Sequence, residues 1–263
     1  MISRESLLQN EASFDRLFCD VLTRDKFSIF FNYYFSDDPI FNHANFSGTI
    51  LESLNYNSSQ VQEILKEIVN KTKDFEIPAS IYMERFWKNA KNLERDAIEC
   101  EFMIIEQMHI LTKEVRKSTE KPDSGIEVLV TREPELWNNA FIKSFQIPKV
   151  WVPELRRRLG SAINDPSTKL LIAKEKERSE ASGCLLLHNT PRDCMGVYCV
   201  GTIQERRSRG IARAMMAEAE LEAERKNCDI LLLQTVASDG VTPMYLRMGY
   251  EIAFERDVLQ YTR

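Results

Sequence analysis

The chain has 263 residues, of which 43% are hydrophobic and 29% charged, and its formal net charge at pH 7 is −5. This composition is typical of a globular protein with a sizeable core, and the acidic balance argues against a general nucleic-acid binder, which needs a basic surface. The N-terminal stretch has no apolar h-region, no apolar run is long enough for a membrane span, and the six cysteines form no CxxC pair and no metal-like spacing with the histidines. We therefore expect a cytoplasmic, reduced protein without a metal site.

Residues 1–115 predict an alternation of helices and strands that ends at a linker. Apolar residues at helical or alternating spacing define the elements, although periodicity separates helix from strand poorly in the last two. Residues 116–125 combine charge, Pro and Gly without a large apolar side chain, so we place a domain boundary there. The predicted elements are a helix over 11–23, a strand over 26–35, a helix over 58–73, a strand over 79–86, a helix over 89–98 and a strand over 102–111.

Residues 126–263 predict the order β-α-α-β-β-β-loop-α-β-α-β. Helices interleave with a sheet whose first strands form a meander and whose later strands need crossovers, so the fold class is α/β (α+β) with a mixed sheet. In the helix after Gly210 we expect the glutamates at 218–224 to face water. The predicted strands cover 126–131, 170–173, 184–188, 197–203, 230–236 and 250–261, and the predicted helices cover 133–145, 153–163, the stretch after 210 and 241–248.

The stretch from Cys194 to Asn227 has the order of a phosphate-binding device: an extended apolar run, a basic loop and a helix. Its residues 207–212 fit the pattern Arg/Gln-x-x-Gly-x-Gly/Ala, with Gly210 and Ala212 small where the backbone must approach a phosphate. The loop N–H groups supply donors and the helix dipole favours an anion. A solvated basic turn that caps a helix fits this short string equally well. The arginines that add positive charge are Arg206, Arg207, Arg209 and Arg213.

A second motif lies at suitable spacing, and together the two carry a family resemblance. Residues 244–250, Met-Tyr-Leu-Arg-Met-Gly-Tyr, resemble the Leu-Tyr-x-x-x-Gly-Phe signature of the GNAT superfamily, the Gcn5-related N-acetyltransferases. The resemblance covers Ile126 to about Tyr261, including the order of the elements. It implies an acetyl-CoA-dependent enzyme that transfers an acetyl group to a primary amine of a small molecule or peptide by direct attack.

The resemblance also implies roles for individual residues. Backbone groups of Val200, Gly201 and Thr202 would pair with the pantetheine arm and polarise the thioester carbonyl. Tyr245 would protonate the departing CoA thiolate. The alternative for Tyr245 is a half-buried helix aromatic with its hydroxyl on a backbone carbonyl. The residues implied to hold the pyrophosphate are Arg207, Ser208, Arg209, Gly210, Ile211, Ala212 and Arg213.

The chain departs from the family pattern at the general base. Many members carry a glutamate on the strand before the pantetheine-binding turn, whereas residues 194–199 contain no carboxylate. Either the amine arrives neutral or a base acts from elsewhere through water. We expect Tyr198 and Cys199 only to line the site, and Cys199 to be a packing residue and not a nucleophile. His188 and Trp151 each either face the acceptor or serve the fold, as a hydrogen-bonded turn histidine and an anchoring aromatic.

Residues 1–115 resemble the later half of a GNAT fold, but they contain no phosphate-loop string and Gly48 is their single glycine. A loop of that type needs a very small residue at close approach, so we expect a smaller, degenerate GNAT-like companion lobe without a CoA site. We expect this lobe to be non-catalytic and to shape the acceptor cleft of a catalytic domain at 126–263.

Two other functions compete with acetyl transfer. A non-catalytic acyl-CoA-binding or regulatory module is the alternative that the missing glutamate motivates. A nucleic-acid binder that uses residues 206–213 conflicts with the acidic total and with the glutamate-rich helix behind the loop. The expected partners are acetyl-CoA and an amine acceptor, with no nucleic acid and no membrane. Neither the acceptor nor the oligomeric state follows from the sequence.

Overall fold

A computed structural model describes residues 3–46, 56–116, 125–176 and 180–262. The contacts divide the chain into two compact units, the first formed by Met1–Leu17 with Thr112–Leu233 and the second by Phe18–Leu111 with Gln234–Arg263. None of the helices in these described ranges is long and apolar enough to cross a membrane.

The helices and strands alternate along most of the chain. In order they are α1 (Arg4–Phe18), β1 (Asp20–Thr23), β2 (Phe27–Phe31), β3 (His43–Phe46), α2 (Ser58–Asp74), β4 (Ser80–Glu84), α3 (Ala90–Glu99), β5 (Phe102–Glu114), β6 (Ile126–Thr131), α4 (Pro134–Phe145), α5 (Val152–Ala162), β7 (Thr168–Glu175), β8 (Gly183–His188), β9 (Cys194–Thr202), α6 (Ile211–Arg225), β10 (Ile230–Val236), α7 (Thr242–Leu246) and β11 (Glu251–Tyr261).

The first unit is built on a mixed sheet in the order β10-β9-β8-β7-β6. Strands β6 to β9 are successive antiparallel neighbours, as short connections allow. Strand β10 pairs with β9 in parallel, which requires a crossover, and α6 supplies it. The predicted mixed α/β fold, with its order of elements from residue 126, is confirmed.

Helices α4 and α6 bury apolar faces in the first unit. Pro134 at the start of α4 fits the first helical turn, and Trp137 of this helix is fully buried. Helix α6 buries its small and apolar residues every four positions, as predicted. The expectation that its glutamates face water is wrong for Glu218 and Glu222, which are buried. Ion pairs with Arg225 make that burial possible, because a buried carboxylate needs a charged partner.

The second unit has a sheet in the order β1-β2-β3-β4-β11-β5, also mixed because β3 and β4 are parallel. Helices α2 and α3 cover an apolar core on it that includes Leu65, Ile68 and Leu93 from the helices and Ile29 and Ile81 from the strands. The sequence predicts α2, β4 and α3 closely. The predicted helix over 11–23 is wrong after Phe18, because β1 occupies Asp20–Thr23, and β3 is not predicted because its four residues, His-Ala-Asn-Phe, are half polar.

The division into units differs at both ends from the boundary predicted at 116–125. Helix α1 belongs with the first unit, since Asn10 donates hydrogen bonds to the carbonyls of His188 and Cys194. Residues 234–263 belong with the second unit, where β11 pairs with β4. Most of the predicted linker lies outside the described residues, and the assignment of a catalytic and a companion part stays a prediction.

Gly201 provides a test of how closely α4 packs on β9. A Cβ atom there would lie 2.7 Å from both Phe145 Cε2 and Ser144 Cβ. We expect Gly201→Ala to lower the free energy of unfolding by about 1–3 kcal/mol, because overpacking displaces neighbours in a dense core. Urea denaturation measures the change.

Gly160→Ala is the matched control. Gly160 lies within α5, and an added Cβ would meet nothing within 4 Å. We expect this variant to be unchanged or stabilised by up to about 1 kcal/mol, because alanine favours helix. Equal urea midpoints for Gly201→Ala and the wild type would contradict the close packing of α4 on β9.

Candidate functional site

The loop between β9 and α6 presents a row of backbone donors. Ser208 and Gly210 have left-handed backbone angles, with φ of 63° and 84°, and α6 begins directly after them at Ile211. Among the described residues, the N–H groups of 208–213 donate to no acceptor, and no side chain caps the helix. Free N–H groups at the positive end of a helix dipole are suited to an anion. The structure thus brings the predicted pyrophosphate-binding residues together in one loop.

The arginines of this loop have different partners. Arg207 donates to the carbonyls of Thr202 at 3.4 Å and Ser144 at 3.3 Å, so its guanidinium is tied to the backbone. Arg206 and Arg209 both pair with Glu175 of β7, at 3.7 and 3.2 Å. Arg213 is exposed on the first turn of α6. Glu175 therefore offsets part of the positive charge that the sequence alone assigns to the loop.

Glu175 is held in its charged form by these contacts. Desolvation alone would raise the pKa of its carboxyl, but hydrogen bonds from Arg209 and Ser182 and the charge of Arg206 together lower it below its ordinary value. No local pattern in the sequence marks this residue, because it lies thirty or more positions before the arginines that it contacts.

A β-bulge interrupts the pairing of β9 with β8. The register changes from Cys184 opposite Gly201 to Leu186 opposite Tyr198, so Leu185 faces two residues of β9. Cys199 takes the left-handed conformation at this point, with φ of 55°. A bulge of this kind bends the strand and re-aims its next residues, here Val200, Gly201 and Thr202.

The parallel pairing of β9 with β10 is short. The paired residues are Cys194 with Ile230, Met195 with Leu231 and Gly196 with Leu232. Among the described residues β10 has no pairing with β9 beyond Gly196, so this edge of the bulged half of β9 lacks a strand neighbour. Backbone groups along such an edge are suited to an extended amide-bearing ligand.

Cys199 is held as a neutral thiol. Burial raises its pKa to about 12, far above the pH at which enzymes work. A thiol is a weak nucleophile compared with a thiolate, so this environment agrees with the expectation of a packing residue.

Helix α1 braces the first half of β9. The Tyr198 hydroxyl donates to Asn10 Oδ1 at 2.6 Å, and its ring stacks on Phe14 with centroids 3.7 Å apart. Gly196 leaves the space for this contact, because a Cβ there would lie 2.2 Å from Asn10 Oδ1. The sequence pattern does not reveal these contacts, since their partners lie far apart along the chain.

His188 is fully engaged in the fold of the first unit. Its Nδ1 lies 3.1 Å from Thr168 Oγ1 and its Nε2 lies 2.9 Å from Ser13 Oγ. Burial lowers its pKa, which favours the neutral ring, although Asp165 acts in the opposite direction. The geometry therefore supports the structural role among the two predicted for it. Trp151, the other such residue, lies half-buried in a 3-10 turn between α4 and α5.

Tyr245 lies on α7 in the second unit. Its side chain is only 6% exposed, and its ring meets that of Tyr250 edge to face at 6.0 Å. Burial raises the pKa of its phenol to about 12. Its hydroxyl has no hydrogen-bond partner among the described residues, so the backbone-carbonyl contact of the structural alternative is not found there.

The start of α7 is fixed by a short polar chain within the second unit. Thr242 Oγ1 lies 2.8 Å from Thr235 Oγ1 and 2.9 Å from His109 Nδ1. Three side chains from α7, β10 and β5 thus hold the helix that carries Tyr245. The motif at 244–250 does not include them.

Comparison with known proteins supports the family resemblance. Residues 134–250 match the model of the acetyltransferase (GNAT) family. A search of curated proteins found no match. A GCN5-related N-acetyltransferase from Kribbella flavida is similar in structure, with a TM-score of 0.71 and 14% identity over 98% of this chain and 94% of that one.

Two further solved structures have the same fold. A GCN5-related N-acetyltransferase from Sphaerobacter thermophilus has a TM-score of 0.70 and 13% identity, over 97% of this chain and 90% of its own. A tandem GNAT protein from the clavulanic acid biosynthesis pathway has a TM-score of 0.60 and 6% identity, over 84% and 76%. At such identities the likeness concerns the fold. Together with the match of the family model, it shows that this chain carries a GNAT acetyltransferase domain at residues 134–250.

Proposed function

We propose that this protein is an acetyl-CoA-dependent N-acetyltransferase that acetylates a primary amine of a small molecule or peptide. The observation that carries the proposal is the row of free N–H groups at residues 208–213, which follows a bulged strand and opens α6 within a GNAT domain. Such a row binds a pyrophosphate through several short hydrogen bonds at once.

In this proposal the cofactor lies along β9 and reaches the loop at its end. The backbone of Ser208 to Arg213 holds the pyrophosphate, and the exposed Arg213 adds charge. Residues 200–202 hold the pantetheine arm, because the bulge re-aims them and, among the described residues, this part of β9 has no pairing with β10. Their N–H groups also stabilise the negative charge that develops on the thioester oxygen.

The proposed reaction is direct transfer through a tetrahedral intermediate. The amine nitrogen attacks the thioester carbonyl, the C–S bond breaks with its electron pair on sulfur, and Tyr245 gives the thiolate its proton. Solvent takes the proton that the amine releases and restores the phenol. Since residues 194–199 supply no carboxylate, the amine enters as its free base.

A non-catalytic acyl-CoA-binding module remains the second candidate, and the lack of a base on β9 favours it. Release of free CoA thiol during incubation with acetyl-CoA and a panel of primary amines separates the two functions. Turnover supports the enzyme, whereas tight binding of acetyl-CoA without turnover supports the module.

Acetyl-CoA binding tests the loop. Gly210→Ala should weaken the affinity about tenfold, because a left-handed backbone costs an L-residue about 1–2 kcal/mol and the loop would relax away from its binding shape. Isothermal titration measures both affinities. A wild-type protein that shows no binding at high micromolar acetyl-CoA would remove the proposal itself.

Gly125→Ala is the matched control for this test. Gly125 also has a left-handed backbone, with φ of 67°, and an added Cβ would meet nothing within 4 Å. The substitution brings similar backbone strain outside the loop, so the affinity for acetyl-CoA should stay unchanged. An equal loss in both variants would show that strain anywhere in the unit, and not the loop, controls binding.

The role of Tyr245 is tested by Tyr245→Phe. We expect kcat to fall by about 100-fold or more with little change in acetyl-CoA affinity, as for loss of a general acid. Tyr250→Phe is the control, because it removes a hydroxyl from the neighbouring ring and should leave kcat intact. Full turnover by Tyr245→Phe would disprove the general-acid role and leave the acetyltransferase proposal standing.

The pH dependence follows from the raised pKa of Tyr245. A phenol with a pKa of about 12 keeps its proton at pH values where an ordinary tyrosine begins to lose it. The rate constant kcat/KM should therefore rise with pH as the amine becomes neutral, and show no fall from Tyr245 below about pH 11. A decline centred near pH 10 that Tyr245→Phe abolishes would contradict the buried environment of this phenol.

A further inference from the structure

The second unit contains an open cleft of about 620 Å³ that shares no residue with the proposed acetyl-CoA site. One face of α2 forms its first wall, and the turn from α3 into β5 forms the opposite wall. Tyr261, at the end of β11, closes one side. The volume lies within the range of small-molecule sites in proteins.

The α2 wall presents polar groups above an apolar floor. Lys66, Asn70 and Lys73 follow one another at helical spacing, so they share one face of α2. Beneath them lie Val69, which is 8% exposed, and Phe102 of β5, which is 1% exposed. A row of polar side chains beside an apolar floor is suited to a ligand with a polar head and an apolar body.

The charges of the cleft are separated, with Lys66 and Lys73 on the α2 wall and Glu99 and Glu101 on the opposite wall. Neither Lys66 nor Lys73 forms an ion pair with a described residue, whereas both acids of the cleft already accept a hydrogen bond. Glu99 accepts from Gln62 at 2.8 Å, and Glu101 accepts from the Tyr261 hydroxyl at 3.4 Å. Two ammonium groups therefore line the α2 wall without a direct ion pair in the described part of the chain, and the two carboxylates lie on the opposite wall, so an anionic group fits the α2 wall.

Tyr261 adds an aromatic surface next to one of these ammonium groups. Lys73 Nζ lies 5.8 Å from the centroid of its ring, and Phe102 packs beside the same ring at 5.7 Å between centroids. An aromatic or apolar ligand body placed here would keep its anionic group within reach of Lys73.

We propose that this cleft binds an amphipathic organic anion, with its carboxylate or phosphate between Lys66 and Lys73 and its apolar body over Val69 and Phe102 beside Tyr261. The amide of Asn70 completes the polar contacts of the head group. This binding is a second property of the protein, and its test needs neither acetyl-CoA nor turnover.

Cys100 lines the cleft, so its alkylation can report whether a ligand is bound there. Cys100 is half-buried on the cleft wall, where burial raises the pKa of its thiol, whereas the described cysteines outside the cleft are buried or, like Cys199, have a pKa raised to about 12. A ligand in the cleft should therefore slow alkylation of Cys100 by iodoacetamide selectively. Peptide mass spectrometry of the full chain gives the rate for Cys100 with and without ligand.

The probes are 2-naphthoate, 2-naphthyl phosphate and the neutral 2-naphthol. We expect at least one of the two anions to protect Cys100 saturably. The concentration of 2-naphthol needed for half-protection should be at least about fivefold higher, because 2-naphthol cannot form the solvent-exposed ion pair. The better anion identifies the head group as carboxylate or phosphate. Protection should also weaken as the salt concentration rises.

Lys73→Met should raise the concentration of anion needed for half-protection about fivefold, as loss of an exposed ion pair does. Lys71→Met is the matched control, because Lys71 lies on the same helix outside the cleft and pairs with Asp74 at 3.3 Å. The ratio of rates with and without ligand is compared within each variant, which cancels any change in thiol reactivity. No protection by either anion at millimolar concentration, equal protection by 2-naphthol, or equal protection in Lys73→Met overturns the proposal.

Discussion

The parallel pairing of β9 with β10 is the constraint on which the proposed cofactor site depends. Parallel neighbours need a crossover, and α6 provides it, so the N-terminus of this helix follows directly from the carboxyl end of β9. Ligands of open α/β sheets bind at that end of the strands. Because the pairing seen in the described residues stops at Gly196, the bulged half of β9 combines an unpaired edge with a helix dipole at its end. A fully paired β9 would keep the anion site and lose the edge.

Side chains from α4 and α1 support β8 and β9, where the pairing of β9 with β10 is short. The Trp137 indole donates to the Leu185 carbonyl at 2.8 Å, which satisfies a buried acceptor opposite the bulge. On the other half of the strand, the Tyr198 hydroxyl is fixed by Asn10, which also donates to the carbonyls of His188 and Cys194. Trp137 of α4 therefore fixes β8 opposite the bulge, and Asn10 of α1 fixes the first half of β9. This makes α1 a structural part of the unit that carries the loop between β9 and α6.

The two ends of α6 differ in their electrostatic contacts. Ion pairs fix the helix near its C-terminal end, and the first turn presents backbone N–H groups. Burial would raise the pKa of Glu222, but hydrogen bonds from Lys169 and Arg225 hold it below its ordinary value, so the carboxylate stays charged in the interior. A depressed pKa stabilises the fold above the ordinary pKa of glutamate and loses that effect as the pH falls through the folded value. In the described part of the chain, the N–H groups of the first turn of this helix donate to no acceptor, so they are available to a ligand. A helix that is fixed by ion pairs near its C-terminal end and has available N–H groups in its first turn is pre-organised for anion binding.

Local patterns in the sequence predict the helices, strands and turns that depend on residues close together along the chain. The spacing of apolar residues in 211–225 and the apolar run 230–236 predict α6 and β10, and the small residues at 210 and 212 predict the turn between strand and helix. Contacts between distant residues have no such signature. The pairing of Glu175 with two loop arginines and the burial of Glu218 both depend on partners that only the folded chain brings close.

The sequence motif that contains Tyr245 has the same limit as a predictor of function. The string at 244–250 selects this residue by type and spacing, but a string carries no information on burial or on hydrogen bonding. In the structure the phenol is buried enough to raise its pKa to about 12, and its hydroxyl has no partner among the described residues. A phenol without an acceptor has its proton free to donate, whereas one bonded to a carbonyl would first have to break that bond; the raised pKa also makes this phenol a weaker acid than an ordinary tyrosine. For the proposed general-acid role, the unbonded hydroxyl is therefore the favourable feature of this environment, and the raised pKa is the unfavourable one.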